Sequence, residues 1–422
     1  MIRLILLLAL FPGTCFSQYL IEGYVLDDQS GDPLPFVSVV LTTDQQKGVL
    51  TNELGQYRIE LDSLQRRRGT LSFSLLSFAA KEIYLGDDNA PGGADPFTLN
   101  VRLASSFLEL PEIVVLSDLA LRGIVRRAVE RIPQNYGADN YLLRAYSRAY
   151  AVNDATFSSL SEAYVTVEDH PYGRRADDKW RDTKAWIDQL RTSGGSPGQP
   201  ARLHPFFDRQ SFLVAPYTWM SNPLRKGSIG TFSFKAKDDL SHLTFRRLGE
   251  YVSGPDTLVR IRCDIHPDLD DGAWPGPGDV VTELLINRTD FAIVEYRNWT
   301  RGKSIYKDAT YRKVRGNYYL ERASFSWEME SDFYGDIPHV YSTLFYVTDV
   351  ITDRKEIRKI KRGRRLVPSE QLTTLNLKHR PEYWRGEERM VQLPARDNLR
   401  IQLKKILAPG VERADSLSKH KK

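Results

Sequence analysis

From Leu243 onwards, hydrophobic and polar residues alternate with a period of two through a series of runs: Leu243 to Val252, Thr257 to Ile265, Val280 to Asn287, Phe291 to Thr300, Ser304 to Val314, Tyr318 to Met329 and Val340 to Val350. Turn-forming residues join several of them, as in Ser253-Gly254-Pro255-Asp256, Arg288-Thr289-Asp290 and Arg315-Gly316-Asn317. Side chains along a strand point alternately to opposite faces, so the pattern predicts an antiparallel meander. In one run Ala323, Phe325, Trp327 and Met329 form one row, against Arg322, Ser324, Ser326 and Glu328. That division predicts a sheet packed on one side and wet on the other.

The period changes elsewhere. Leu121, Ile124, Val125, Ala128, Val129 and Ile132 recur at helical spacing over Asp118 to Arg131, with Ser117 able to cap the start and Pro133 to stop it. A second helix is predicted over Lys184 to Arg191, followed by a loop rich in Gly, Ser and Pro. Between Tyr19 and Leu85 short strands alternate with turn chemistry: Asp27-Asp28-Gln29-Ser30-Gly31-Asp32-Pro33, then Val37 to Thr42, then Thr51-Asn52-Glu53-Leu54-Gly55 before Tyr57-Arg58-Ile59. Strands this short and turns this close predict a sandwich of about seven strands. Gly55 stands where a hairpin needs a positive φ, and Pro33 and Pro35 pre-set the backbone ahead of a strand.

Gly23-Tyr24-Val25, Gly31-Asp32-Pro33-Leu34-Pro35, Val37-Ser38-Val39, Gly48, Thr51-Asn52-Glu53-Leu54-Gly55-Gln56-Tyr57 and Leu71-Ser72-Phe73-Ser74 together resemble the carboxypeptidase regulatory-like domain, a transthyretin-like β-sandwich. The family usually has Gly-Tyr after the last of these strands, where this chain reads Leu76-Ser77-Phe78, which puts that loop's conformation in question. In carboxypeptidases the module is an appendage without catalytic residues, so the resemblance implies nothing about peptide hydrolysis. Leu108 to Val115 resembles the connector after such a sandwich in TonB-dependent outer-membrane receptors, but no plug and long barrel follow. Ile132-Pro133-Gln134-Asn135-Tyr136 and Leu143 to Arg148 resemble a segment of envelope proteins with the same sandwich and no known activity. The Ile286 to Ile293 turn and its meander look similar to the curved half-barrels of periplasmic lipoprotein carriers. The expected fold is therefore mainly β: an N-terminal transthyretin-like sandwich, then a helix and an antiparallel α+β domain able to form a half-barrel.

Arg3 ahead of the apolar run Leu4 to Phe11, with Pro12, Gly13 and Ser17 after it, reads as an export signal cleaved after Ser17. The run is too short to span a bilayer, and no later segment is apolar enough to do so. The expected location is the periplasm or the outer-membrane surface; lipidation at Cys15 is the alternative, in a poorly matching context. Cleavage leaves Cys263 as the one thiol, and so no intramolecular disulfide. Val259, Cys263 and their alternate neighbours make it a core position. The length of 422 residues suits roughly two or three domains. The expected boundaries are 1–17 for the signal, 18–105 for the sandwich, 106–135 for connector and helix, 136–380 for the meander with a helical insertion, and 381–422 for a polar tail.

The formal charge is +5 with both signs interspersed, which excludes a nucleic-acid-binding field. Local exceptions are Arg66, Arg67 and Arg68, and Lys359, Lys361, Arg362, Arg364 and Arg365. These read as solvated loops or strand edges, with anionic lipid headgroups as the sharper alternative.

No catalytic or metal constellation survives inspection. Gly194-Gly195-Ser196-Pro197-Gly198 fits G-x-S-x-G but sits in a flexible loop, without the strand and helix a nucleophile elbow needs. His379-Arg380-Pro381-Glu382 lacks a third ligand, since only His420 follows. Asp268-Leu269-Asp270-Asp271-Gly272 is out of register for a calcium loop. His170, His204, His242, His266 and His339 are scattered. No catalytic or metal residue and no cofactor is therefore assigned, and ligand-binding residues are left open. The function expected is a non-catalytic binding or assembly module, engaging an envelope protein partner or an apolar ligand. Available aromatics for the latter are Phe232, Phe234, Tyr296, Trp299, Tyr306, Phe325, Trp327, Phe345 and Tyr346. The alternatives are a structural adaptor without ligand, and a hydrolase built from distant groups such as Asp169 with His170 or Asp268 with Asp271.

Overall fold

The computed structural model describes residues 19–86, 97–106, 117–137, 139–153, 156–169, 172, 184–194, 224, 240–266, 280–300, 305–328, 340–363 and 367–368. They fall into two compact units, one ending at Ser105 and one beginning at Ser106. The protein is mainly β.

The first unit holds β1 (Tyr19–Asp27), β2 (Ser38–Leu41), β3 (Asp44–Leu50), β4 (Gln56–Leu61), α1 (Ser63–Arg68), β5 (Thr70–Ser74), β6 (Lys81–Tyr84), β7 (Phe97–Thr98) and β8 (Val101–Leu103). One sheet runs β4-β1-β7 with β8 further along β1; the other runs β3-β2-β5-β6. Val25, Val39, Ile59, Phe73 and Val101 meet in one apolar core between them, and the Tyr57 ring stands edge-on to Phe73 at 5.4 Å. Eight strands replace the seven expected because the last is interrupted at Leu99-Asn100, and β7 and β8 each run parallel to β1. The Leu99 carbonyl accepts from Tyr57 Oη at 2.7 Å, and it lies only 2.1 Å from where a Cβ on residue 23 would stand. Gly23 is what lets the interrupted strand approach β1.

The Thr51-Asn52-Glu53-Leu54-Gly55 turn is buried and bonded inward. Thr51 Oγ1 donates to the Leu34 carbonyl at 2.7 Å and accepts from Val37 N at 2.8 Å, while Asn52 Oδ1 accepts from Leu54 N and Gln56 N. Gly55 has the positive φ the sequence requires, at 71°. Ser77 also lies at φ 71°, so the loop keeps the left-handed residue where the resembling family has glycine, at a cost of about 1–2 kcal/mol.

The second unit begins with α2 (Asp118–Glu130) and α3 (Ile132–Asn135). Ser117 Oγ caps α2 by accepting from Ala120 N at 3.2 Å. Pro133 ends the long helix but stands in the first turn of the short one, where its missing N–H costs nothing. The strands are β9 (Tyr141–Asn153), β10 (Thr156–Asp169), β11 (Lys184–Gly194), β12 (Leu243–Ser253), β13 (Asp256–Ile265), β14 (Val280–Asn287), β15 (Ile293–Thr300), β16 (Ile305–Val314), β17 (Asn317–Glu328), β18 (Val340–Ile351) and, after α4 (Arg354–Gly363), β19 (Val367–Pro368). They form one eleven-stranded sheet in the order β12-β13-β14-β15-β16-β17-β18-β9-β10-β11-β19, which does not close into a barrel.

Three expectations are corrected. Lys184 to Arg191 is strand, pairing with β10 across a bulge at Asp188. The bulge resets the alternation, so Ala185, Ile187 and Leu190 share a face at a spacing that imitates a helix. Neither basic cluster is a loop or strand edge where it is described: Arg66, Arg67 and Arg68 end α1, and Lys359, Lys361 and Arg362 lie in α4. Most consequentially, the polar row of β17 is not wet, since Arg322, Ser324 and Ser326 are all buried.

Register explains that burial. Val259, Ile261 and Cys263 share one face with Leu284, Tyr296, Ala309, Phe325 and Phe345, while the opposite face carries a lateral series of charges. On it Arg260 reaches Glu295 at 2.7 Å and Glu283 at 3.7 Å, and Arg297 reaches Glu295 at 2.8 Å. Arg322 meets Asp308 at 2.5 Å, whose carboxylate also accepts from Ser324 Oγ. Ser326 donates to Ser342 at 3.0 Å. Beyond them stand Arg148 on β9, Glu162 on β10 and Arg191 on β11.

Glu295 is 3% exposed. Burial would raise its pKa, but the Arg297 and Arg260 guanidinium groups outweigh this and hold it at about 2, against an ordinary value of 4.5. A carboxylate so depressed contributes stability that is complete above its unfolded pKa and lost as pH falls through its folded one. Glu295→Gln is therefore expected to cost about 3 kcal/mol in urea unfolding at neutral pH, and to flatten the fall in stability between pH 4.5 and 2.

Lys307, on the apolar face between Asn298 and Phe325, is lowered by burial to about 8 from 10.5. Between those values the unfolded chain binds a proton that the folded one has released, so stability rises with pH in that window. Lys307→Met should abolish this rise, read as melting temperature from pH 8 towards the onset of tyrosine ionisation.

Candidate functional site

Cross-strand pairing on β9, β10 and β11 gathers Tyr146, Arg148, Glu162 and Arg191 on the charged face. Glu162 accepts on both oxygens, from Tyr146 Oη at 2.5 Å and from Arg191 Nε at 2.7 Å. Arg148 is wholly buried and lies over the Tyr150 ring at 5.3 Å. Burial, then the Glu162 charge, pushes the Tyr146 hydroxyl well above its ordinary pKa. It remains a hydrogen-bond donor at neutral pH, and the carboxylate it serves is engaged on both sides. The chemistry of this group is that of a closed ion pair.

At the far end of β10, Asp169 accepts from Tyr141 Oη at 2.5 Å, and the Tyr141 ring stands edge-on to Tyr319 at 4.8 Å. Its proposed companion His170 lies outside the described residues, as do Asp268, Asp271, Ser196, His204, His339 and the His379 segment. His242 and His266 meet through their backbones, at 2.9 Å. Cys263 is buried, and burial followed by the Asp264, Glu283 and Asp118 charges raises its thiol pKa, which fits a core thiol and opposes a nucleophile. Among the described residues no group of three His, Cys, Asp or Glu side chains could hold a metal ion.

The aromatic residues do not converge. Tyr296, Phe325, Trp327 and Phe345 point to the apolar face, and Trp299, Tyr306 and Tyr346 to the charged one. Phe232 and Phe234 lie outside the described residues.

Two segments singled out separately in the sequence do meet. Asn135 Nδ2 donates to the Asp290 carbonyl at 2.9 Å and Tyr136 Oη to the Ile293 carbonyl at 2.7 Å. Tyr318 Oη, bonded to Asp290 Oδ2 at 3.0 Å, completes the junction, with the Tyr136 ring packed edge-on to Tyr311 at 5.4 Å. This is an architectural joint between α3 and the β14–β15 turn.

The remaining feature is α4. Asp353 caps it, its Oδ1 accepting from Lys355 N and Glu356 N. Ile357 and Ile360 turn inward onto Leu142 and Ile351. Arg354 pairs with Asp139 at 3.1 Å and Lys361 with Glu168 at 2.5 Å. Between the helix and the start of β9 lies an open cleft of about 570 Å³, with Asp139, Asn140 and Glu168 on one wall and Arg358 and Arg362 on the other. Sequence reasoning took this segment for a solvated run; the Asp353 cap and the Ile357, Ile360 spacing were the available signals of a helix.

Residues 21–115 match the model of the CarboxypepD_reg-like domain. No match was found among curated proteins. Among solved structures the chain is similar to a domain provisionally described as an outer membrane lipoprotein-sorting protein from Vibrio parahaemolyticus, at 10% identity and TM-score 0.25 over 57% of this chain and 98% of that one. It is similar to a LolA superfamily protein from Nitrosomonas europaea at 12% identity and TM-score 0.22, over 56% and 96%. A provisionally described membrane-associated protein of unknown function from Bacteroides fragilis gives 9% identity and TM-score 0.17, over 79% and 99%. At these scores the structural likenesses carry no weight for fold or function, and the family match carries the first unit alone.

Proposed function

We propose that this chain is a non-catalytic binding or assembly module of the cell envelope, exported by the segment ending at Ser17 and engaging a protein or surface partner from outside its sheet. The observation that supports this is the closure of the charged face. Glu162, Glu295 and Asp308 are each held by cationic or hydroxyl partners of neighbouring strands, an arrangement that leaves no poised base beside a nucleophile in those clusters. The apolar face supports the same reading against an interior apolar ligand: Tyr296 and Phe345 are 0% exposed and Phe325 is 5% exposed, so the large side chains a ligand would touch are already packed. No helix among the described residues is long and apolar enough to cross a membrane.

Native mass spectrometry of the protein purified from its own envelope, before and after mild organic extraction, tests the choice of partner. A bare mass at the signal-cleaved value is expected in both; a lipid-sized increment removed by extraction would overturn the surface reading in favour of an interior carrier. A chelator is expected to leave the melting temperature unchanged, since metal sites contribute directly to folding; a fall of several degrees would revive a metal-dependent activity.

A further inference from the structure

The solvent-exposed side of α4 carries Lys355, Arg358, Lys359 and Arg362, of which Arg358 and Arg362 also border the cleft shared with Asp139 and Glu168. At 3.6 residues per turn these four fall on one stripe, opposite the buried Ile357 and the half-buried Ile360. Arg354 and Lys361, which flank the inward side, are consumed by Asp139 and Glu168. None of the four outward cations has an ion pair with a described residue, and the helix's one acid, Glu356, lies off the stripe.

This arrangement opposes the helix's own stability. Lys355 with Lys359 and Arg358 with Arg362 are like-charge pairs four residues apart, and Lys355 sits in the first turn, where the macrodipole disfavours a cation. Docking through Ile357 and the two flanking ion pairs holds the helix in place; within the stripe the dipole favours Arg362 in the last turn, and the like-charge pairs add repulsion that an external anion would relieve.

Resting on the reading of an exported surface-binding module, we propose that the Lys355, Arg358, Lys359, Arg362 stripe is a peripheral docking face for an anionic phospholipid surface. The choice of a lipid plane over an acidic peptide follows from shape and chemistry. The stripe is an exposed row of long cationic side chains on a helix, whose apolar residues point inward. It offers a peptide no apolar anchor, and the bilayer no residue to insert. What it fits is a diffuse plane of negative charge, to which each Lys or Arg contributes about five-fold in affinity at moderate salt.

The test uses the full chain and flotation with vesicles of phosphatidylcholine alone or phosphatidylcholine mixed with phosphatidylglycerol. The wild type is expected to float with the anionic vesicles only, and to be released by high salt. The combined variant Lys355→Gln, Arg358→Gln, Lys359→Gln and Arg362→Gln is expected to partition several hundred-fold less, about five-fold for each of the four cations, with an unchanged or slightly raised melting temperature. A control, Arg66→Gln, Arg67→Gln and Arg68→Gln on α1, should keep wild-type partitioning. Failure of the wild type to float, equal binding to neutral vesicles, full binding by the α4 variant, or loss in the α1 control would each overturn the proposal. Those failures leave the surface-module reading intact, whereas an extractable interior lipid would sink that reading without touching the stripe.

Discussion

A charge taken out of water must be met by an opposite charge with good geometry, or it costs several kcal/mol. In this protein that requirement is met sideways, across the strands of one sheet. Arg260 on β13 needs Glu295 on β15, Asp308 on β16 needs Arg322 on β17, and Glu162 on β10 needs Arg191 on β11. Because a slip of one residue would turn a whole strand over, it would carry an arginine onto the apolar face and strand its acid on the other, while a slip of two would keep the face and move the arginine along it, away from its acid. The ion pairs therefore specify register in a meander whose hairpins are otherwise interchangeable. Burial of Asp308 tilts the same balance differently: burial raises its pKa, and the Arg322 charge with the Ser324 hydroxyl opposes this without reversing it.

The sandwich solves its constraints with backbone geometry instead of charge. Gly23 leaves room for the Leu99 carbonyl, Gly55 takes a left-handed conformation, and the Thr51 and Asn52 side chains bond the turn that encloses it. Ser77 is the exception. A serine holding a conformation that glycine adopts freely means the surrounding loop dictates the backbone, since Phe78 N is bonded to the Leu75 carbonyl at 3.0 Å and Ala79 N to the Ala104 carbonyl at 2.9 Å.

Much of the strand pattern was legible. The runs from Leu243 to Val350 are found as β12 to β18 with ends shifted by a residue or two, because side-chain alternation is a local property and hairpin turns announce themselves, as at Arg315-Gly316, where both residues have positive φ. What composition could not tell was the solvent on the second face. Arg, Ser and Glu at alternate positions look alike whether they meet water or one another, and only the lateral neighbours decide. The Lys184 strand was misread for a related reason, since a bulge makes two strand segments imitate one helical stripe. Of the candidate acids, Asp268 and Asp271 lie outside the described residues and Asp169 bonds Tyr141; Arg148 ends the segment singled out from Leu143, but Glu162 lies in no motif, and the two become neighbours only through the β9–β10 register.

The two basic clusters show how structure separates a charge with a local explanation from one without. In α1 the three arginines occupy the last turn, where the helix dipole favours cations, and Arg66 lies over the Tyr19 ring at 4.3 Å. Folding alone accounts for them. In α4 the same explanation reaches only Lys361 and Arg362 at the C-terminal end, and Lys361 is already paired with Glu168. Lys355 and Arg358 sit in the half of the helix where cations are unwelcome and have no ion pair with a described residue, although Arg358 borders the cleft whose other wall carries Asp139 and Glu168. Among the described residues neither the dipole, nor an ion pair, nor a ring accounts for Lys355 and Arg358, and that is the ground on which an external anionic surface is proposed as their counter-charge.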